Sequence, residues 1–87
     1  VLTAGREVAL TGRETALLAY LAAAGDRAVT REELLDAVWH SEAGSESRTV
    51  DVHVRRVRQK TGLAELIATV WGSGYRLDPH YRVRLAA

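Results

Sequence analysis

The chain has 87 residues, 47% of them hydrophobic and 26% charged, with no cysteine and a formal net charge of +1. That length predicts a single domain, residues 1–87, with a small core. The composition excludes a disordered chain, and the lack of thiols excludes a disulfide framework or a thiolate metal site. The longest apolar stretch, residues 17–24, falls well short of the roughly 20 residues of a membrane span. No secretory signal opens the chain, so a soluble, cytoplasmic location is expected. Because residue 1 is Val1 and not Met, the chain is expected to be a piece of a longer protein.

Charge is unevenly divided. Residues 1–46 hold four arginines against eight carboxylates, a net of −4, whereas residues 47–87 hold eight Lys or Arg against three carboxylates, a net of +5. Such asymmetry points to one half that faces a polyanion and one half that faces something else.

In chain order, Val1-Leu2-Thr3 and Val8-Ala9-Leu10 read as short extended runs around a turn at Gly5-Arg6, a two-strand remnant or part of a small sheet. Thr11-Gly12-Arg13-Glu14 is a capping box, and Leu17, Leu18, Leu21 and Ala24 follow at helical spacing, which predicts a helix over about 12–24 closed by Gly25-Asp26. Ala28-Val29 reads as an extended link. Thr30-Arg31-Glu32-Glu33 is a second capping box for a helix over about 31–39 that buries Leu34, Leu35, Val38 and part of Trp39. Residues 40–46 are polar and small, a loop. Ser47 is the expected cap of a third helix over about 48–61, with Gly62 just past its end. Residues 67–71 and 75–77 are β-prone and flank Gly72-Ser73-Gly74, which predicts a hairpin. Asp78-Pro79 stops it, and residues 79–87 read as a basic, frayed tail.

The third helix carries the chemistry. At about 100° per residue, Val50, Val54, Val57 and Thr61 fall in one narrow stripe that must face the core. Opposite them lie Arg48, Thr49, Val52, Arg55, Arg56 and Gln59, with Asp51 and Arg58 on one flank and His53 and Lys60 on the other. Between Arg48 and Lys60 five cations face one Asp, so the segment is strongly basic. Arginines mixed with Thr and Val are what a major-groove reader needs. Arg can donate two bonds to guanine O6 and N7, Thr and Val can pack on a thymine methyl, and outer arginines can neutralise phosphates. The plainer alternative is a solvated basic helix that binds nothing.

Two runs, Arg48-Thr49-Val50-Asp51-Val52-His53-Val54-Arg55-Arg56-Val57-Arg58-Gln59-Lys60 and Thr69-Val70-Trp71-Gly72-Ser73-Gly74-Tyr75-Arg76-Leu77, closely resemble the effector domain of OmpR/PhoB-type response regulators. Residues 10–14, 17–18 and 31–39 fit in the same order, so the resemblance spans about residues 6–78. It implies an α+β winged helix-turn-helix of three helices. A small N-terminal antiparallel sheet would be truncated relative to the family's four strands, and a C-terminal β-hairpin would form the wing. It further implies a DNA-binding transcription regulator of a two-component system, with a recognition helix in the major groove, a wing beside the minor groove, and dimers on direct-repeat sites. An N-terminal receiver domain and an RNA polymerase contact through loop 40–46 are also family features. The resemblance puts Arg48, Thr49, Val52, His53 and Arg56 near bases or the groove floor, and Trp39, Arg55, Arg58 and Thr69 at phosphates. The helical wheel agrees except for His53 and Arg58, which it sets on the flanks.

Trp71 stands where family members often carry an arginine for the minor groove. An indole cannot supply that cation, so Trp71 is expected to pack in the core or against sugars. No cofactor, metal site or enzymatic constellation is expected. The three histidines lack ligand spacing, Glu32 and Glu33 point in different directions, and Gly72-Ser73-Gly74 lies between strands, unlike a phosphate loop. The main rival to DNA binding is a protein-interaction module on the same scaffold, working through the acidic half and loop 40–46.

Overall fold

The computed structural model describes residues 2–3, 6–40, 42, 44–79 and 83–84. In chain order these form β1 (Leu2–Thr3), β2 (Arg6–Glu7), α1 (Gly12–Ala24), α2 (Arg31–Trp39), α3 (Ser47–Thr61), β3 (Ile67–Val70), β4 (Gly74–Leu77) and β5 (Val83–Arg84). One antiparallel sheet has the order β2-β1-β5, and a separate hairpin pairs β3 with β4. The architecture is α+β, three helices followed by a β-hairpin, as the sequence predicts.

Two expectations at the chain ends change. The second strand is Arg6–Glu7 instead of residues 8–10, although Val8 is buried. The tail is not simply frayed, because Val83 and Arg84 pair with Thr3 and Leu2. The sheet therefore draws its third strand from the other end of the chain. The predicted turn residue Gly5 and the remainder of the tail beyond Pro79 lie outside the described residues.

The helix ends show which caps compete successfully. At α1 the Thr11 hydroxyl accepts from the Glu14 N–H at 3.2 Å, and the Thr11 N–H donates to Glu14 Oε1 at 2.9 Å, a complete capping box. At α2 only half of the expected box forms. Thr30 Oγ1 accepts from the Glu33 N–H at 3.0 Å, but the Glu33 carboxylate is taken by Arg27 and Tyr20. Charge-assisted bonds of that kind outcompete a single backbone N–H. At α3 the cap is Glu46, not Ser47, and the Glu46 N–H donates to Thr49 Oγ1 at 3.3 Å. Gly62 then closes α3 in the left-handed conformation, φ 69°.

The core is one cluster. Leu17, Leu18 and Leu21 of α1, Leu34 and Val38 of α2, and Val50, Val54 and Val57 of α3 meet Val29, Leu66, Ile67 and Tyr75. Each fully buried leucine contributes about 2–3 kcal/mol by removal from water. Val50, Val54, Val57 and Thr61 are the buried residues of α3, so the predicted stripe is the one that packs.

The hairpin is docked through its root. Val29 and Tyr75 exchange backbone hydrogen bonds at 2.7 and 2.9 Å, which makes the extended link a second partner of β4. Gly74 belongs to β4, not to the turn, which is Trp71-Gly72-Ser73. A Cβ at Gly74 would lie 2.0 Å from the Val29 carbonyl oxygen, and its φ is 123°, so only glycine allows this approach.

Candidate nucleic-acid interface

The buried valines of α3 turn its opposite side to solvent. Arg48, Val52, Arg55 and Arg56 are exposed, and Thr49 and His53 are half-buried. All five residues expected near bases, Arg48, Thr49, Val52, His53 and Arg56, line one shallow depression, with Gly44 and Glu46 beside them. The helical wheel had left His53 on a flank; the fold brings it to this depression.

Two contacts set the His53 ring. Its Nδ1 lies 2.8 Å from the Thr49 carbonyl oxygen. A carbonyl only accepts, so Nδ1 carries the proton in this arrangement and Nε2 of the neutral ring is left as an acceptor. The ring also meets Trp39 edge-on, with centroids 4.8 Å apart. Trp39 itself is 4% exposed, a wall of the core beneath the helix end, with the Arg13 guanidinium 5.8 Å from its ring. Arg13 also pairs with Glu42, so the loop after α2 is tethered to α1. Ser41 and Ala43 of that loop lie outside the described residues.

The single carboxylate of α3 is neutralised by its own fold. Asp51 Oδ1 accepts from Arg31 Nε at 2.8 Å and from the Tyr75 hydroxyl at 2.7 Å. Burial and the bond to Asp51 both hold the Tyr75 phenol above its ordinary pKa. This knot ties α2, α3 and β4 together and cancels the one negative charge on the basic helix. By contrast, among the described residues no carboxylate lies within ion-pair distance of Arg48, Arg55 or Arg56.

The remaining expected phosphate residues sit differently. Arg58 donates from Nε and Nη2 to the Ile67 carbonyl, at 3.1 and 2.6 Å, and from Nη2 to Thr69 Oγ1 at 2.9 Å. Arg58 and Thr69 are thus bonded to each other and brace the hairpin against α3. Nothing in the helical period reveals this tie, because its partners lie nine and eleven residues on in another element. The lone Asp51 in a basic run was the one sequence signal for the Arg31–Tyr75 knot.

Trp71 departs from the expectation of core packing. It is 90% exposed at the tip of the hairpin.

Residues 5–77 match the family model described as "Transcriptional regulatory protein, C terminal". The chain belongs to this family. It is 45% identical over 83 residues to the transcriptional regulatory protein SrrA of Staphylococcus aureus (strain NCTC 8325 / PS 47), which covers 90% of this chain and 34% of SrrA. The chain therefore spans about a third of the length of that curated relative. Among solved structures it resembles the AdeR DNA-binding domain, determined in complex with an intercistronic region (31% identity, TM-score 0.70, 82% of this chain and 74% of that one). It also resembles DrrB, an OmpR/PhoB homologue from Thermotoga maritima (32% identity, TM-score 0.71, 84% of this chain and 35% of that one). The three helices and the hairpin are the winged helix of OmpR/PhoB-type regulators, and the family is one of transcriptional regulators, not of enzymes.

Proposed function

We propose that this domain reads duplex DNA by sequence, with α3 in the major groove and the β3–β4 hairpin beside the adjacent minor groove. DNA binding in transcription regulation follows from family membership; the reading of bases is argued from the surface. One observation carries it: the depression on α3 gathers Arg48, Thr49, Val52, His53 and Arg56. That set offers fork donors for guanine, a hydroxyl, an apolar contact for a thymine methyl and a ring nitrogen.

Arg55, on the outer side of α3, is suited to a phosphate. Trp39, Arg58 and Thr69 are assigned to the same backbone, with Arg58 and Thr69 also bracing the wing. Loop 40–46 as a contact for RNA polymerase, pairing of two copies on direct repeats, and a cytoplasmic location complete the proposal. They rest on kinship with response regulators. The rival interaction module would work through the acidic half, where Arg13, Arg27 and Arg31 are already paired with carboxylates.

Arg56→Ala tests the reading. Fluorescence anisotropy on a selected site should show a loss of about 1–3 kcal/mol and relaxed discrimination at the base pair it reads. Wild-type affinity should fall steeply with salt, and Arg55→Ala should lower the slope by about 1. A salt-independent affinity, or Arg56→Ala binding like wild type, contradicts the proposal.

A further inference from the structure

The two tryptophans occupy opposite environments. Trp39 is 4% exposed and Trp71 is 90% exposed. Burying an indole removes a large apolar area from water, so leaving one almost wholly solvated forgoes stabilisation that the free domain never recovers.

Local geometry holds the indole out. The Ser73 N–H donates to the Val70 carbonyl at 2.9 Å and Gly72 has φ 80°, so residues 70–73 form a type II turn with Trp71 at its second position. Gly72 has open space around it. The root of the hairpin, in contrast, is clamped. Arg58 holds Ile67 and Thr69, Tyr75 holds Asp51, and Gly74 lies against Val29. The tip is therefore presented at a fixed offset from the depression on α3.

The surroundings argue against a protein-docking patch. Such patches need contiguous apolar surface, whereas the cleft beside Trp71 is lined mostly by polar groups, Thr30, Arg31, Glu32, Thr69 and Ser73, with Val70 among them. An isolated, fully presented aromatic in polar surroundings fits insertion of one residue into a DNA groove better than a broad apolar contact.

We propose that Trp71 is a specificity-determining residue whose indole enters the minor groove as an uncharged wedge. This rests on the DNA-binding reading above and adds to it what the wing selects. A cation favours the narrow, electronegative groove of A-tracts. An apolar wedge favours sites where unstacking and widening are cheap, the pyrimidine–purine steps TA and CA/TG. The wing then contributes specificity through DNA deformability, at a position flanking the bases read by α3.

Selection from a random-sequence duplex library tests this with wild type, Trp71→Ala and Trp71→Arg. Trp71 supports no core contact, so both variants should retain the wild-type circular dichroism spectrum and melting curve. Wild type should enrich a segment read by α3 plus a flank rich in TA or CA/TG. Trp71→Ala should keep the segment, lose the flank and bind the wild-type site about tenfold more weakly. Trp71→Arg should exchange that flank for an A-tract. Acrylamide quenching gives a second readout, because only the Trp71 emission is open to quencher in the free domain and it should become protected on the selected duplex. If Trp71→Ala enriches the same segment and the same flank, the wedge is overturned while DNA reading stands. If wild type enriches no segment at all, the DNA reading falls and the wedge falls with it. Quenching unchanged on a bound duplex also overturns the wedge.

Discussion

The arginines of the two halves have the same chemistry and opposite fates. In the first half Arg13, Arg27 and Arg31 each meet a carboxylate, Glu42, Glu33 and Asp51. On α3, Arg48, Arg55 and Arg56 meet none among the described residues. A paired arginine spends its directional donors on the fold, and an unpaired one on a rigid helix keeps them for a ligand. The near-zero net charge conceals this, because Glu14, Glu33, Glu42 and Asp51 are consumed in internal pairs. The difference predicts that substitutions in the first group alter stability and those in the second alter binding.

The sharpest break of that comparison lies at Lys60, a cation of α3 that belongs to the paired group. Its Nζ lies 2.6 Å from Glu14 Oε1, and the Glu14 side chain is 1% exposed. Burial pushes the Glu14 carboxyl up, but the Lys60 ammonium and the Thr11 N–H and hydroxyl outweigh it and hold it below its ordinary value. Lys60→Ala leaves that carboxylate buried with one charge partner fewer. Because Lys60 is itself 39% exposed, the loss should be about 1–3 kcal/mol in urea unfolding, below that of a fully buried pair. DNA affinity of the folded protein should move far less than in Arg56→Ala. Equal loss of stability in Arg56→Ala would erase the distinction between the two groups.

Arg58 should fall between them, since it serves both the fold and the placement of the wing. Arg58→Ala removes the brace to Ile67 and Thr69 and should cost about 1–2 kcal/mol of stability. Faster amide exchange in β3 and β4 and weaker DNA binding should accompany it. Arg58→Lys keeps the charge but not the planar fork, so it should recover little of the hairpin protection. Full recovery would show that charge alone matters at this position.

What could be read from the sequence depends on the range of the interaction. The stripe Val50, Val54, Val57 and Thr61 is a period within one helix, and it packs as expected. Thr11 and Glu14 are three residues apart, and their box forms. The same helical period turns Arg48, Thr49, Val52 and Arg56 of the depression away from the core, and family likeness added His53, which the wheel set on a flank. Two of the misreadings involve distant partners. Glu33 looked like a capping residue until Arg27 and Tyr20 came within reach. Val83 and Arg84 pair with a strand about 80 residues earlier, for which no local pattern exists. Trp71 looked suited to a core, but its place in a type II turn points it away from one.

The smallest expected effect concerns Glu33, on the paired side. Both its oxygens accept from Arg27, at 2.9 and 2.8 Å, and Oε2 also accepts from the Tyr20 hydroxyl at 2.6 Å. Arg27 first and Tyr20 second hold the Glu33 carboxyl down to about 2. In the unfolded chain the same group titrates near the ordinary glutamate value, about 4.3. Between those two values the unfolded state binds more protons than the folded one, so stability rises with pH. The contribution is complete above the unfolded value and disappears as pH falls through the folded one. Denaturation of wild type and Glu33→Gln from pH 6 to pH 2 should therefore give curves that are separated at pH 6 and converge on acidification. Glu14 titrates in both proteins and cancels in the difference. Solvent screens this exposed cluster, so added salt should shrink the separation, and it should leave the pH at which the Lys60–Glu14 contribution is lost far less changed. Parallel curves down to pH 2 would mean that Glu33 gains nothing from Arg27 and Tyr20. The pairing that separates the two groups of arginines would then be geometric proximity without energetic consequence.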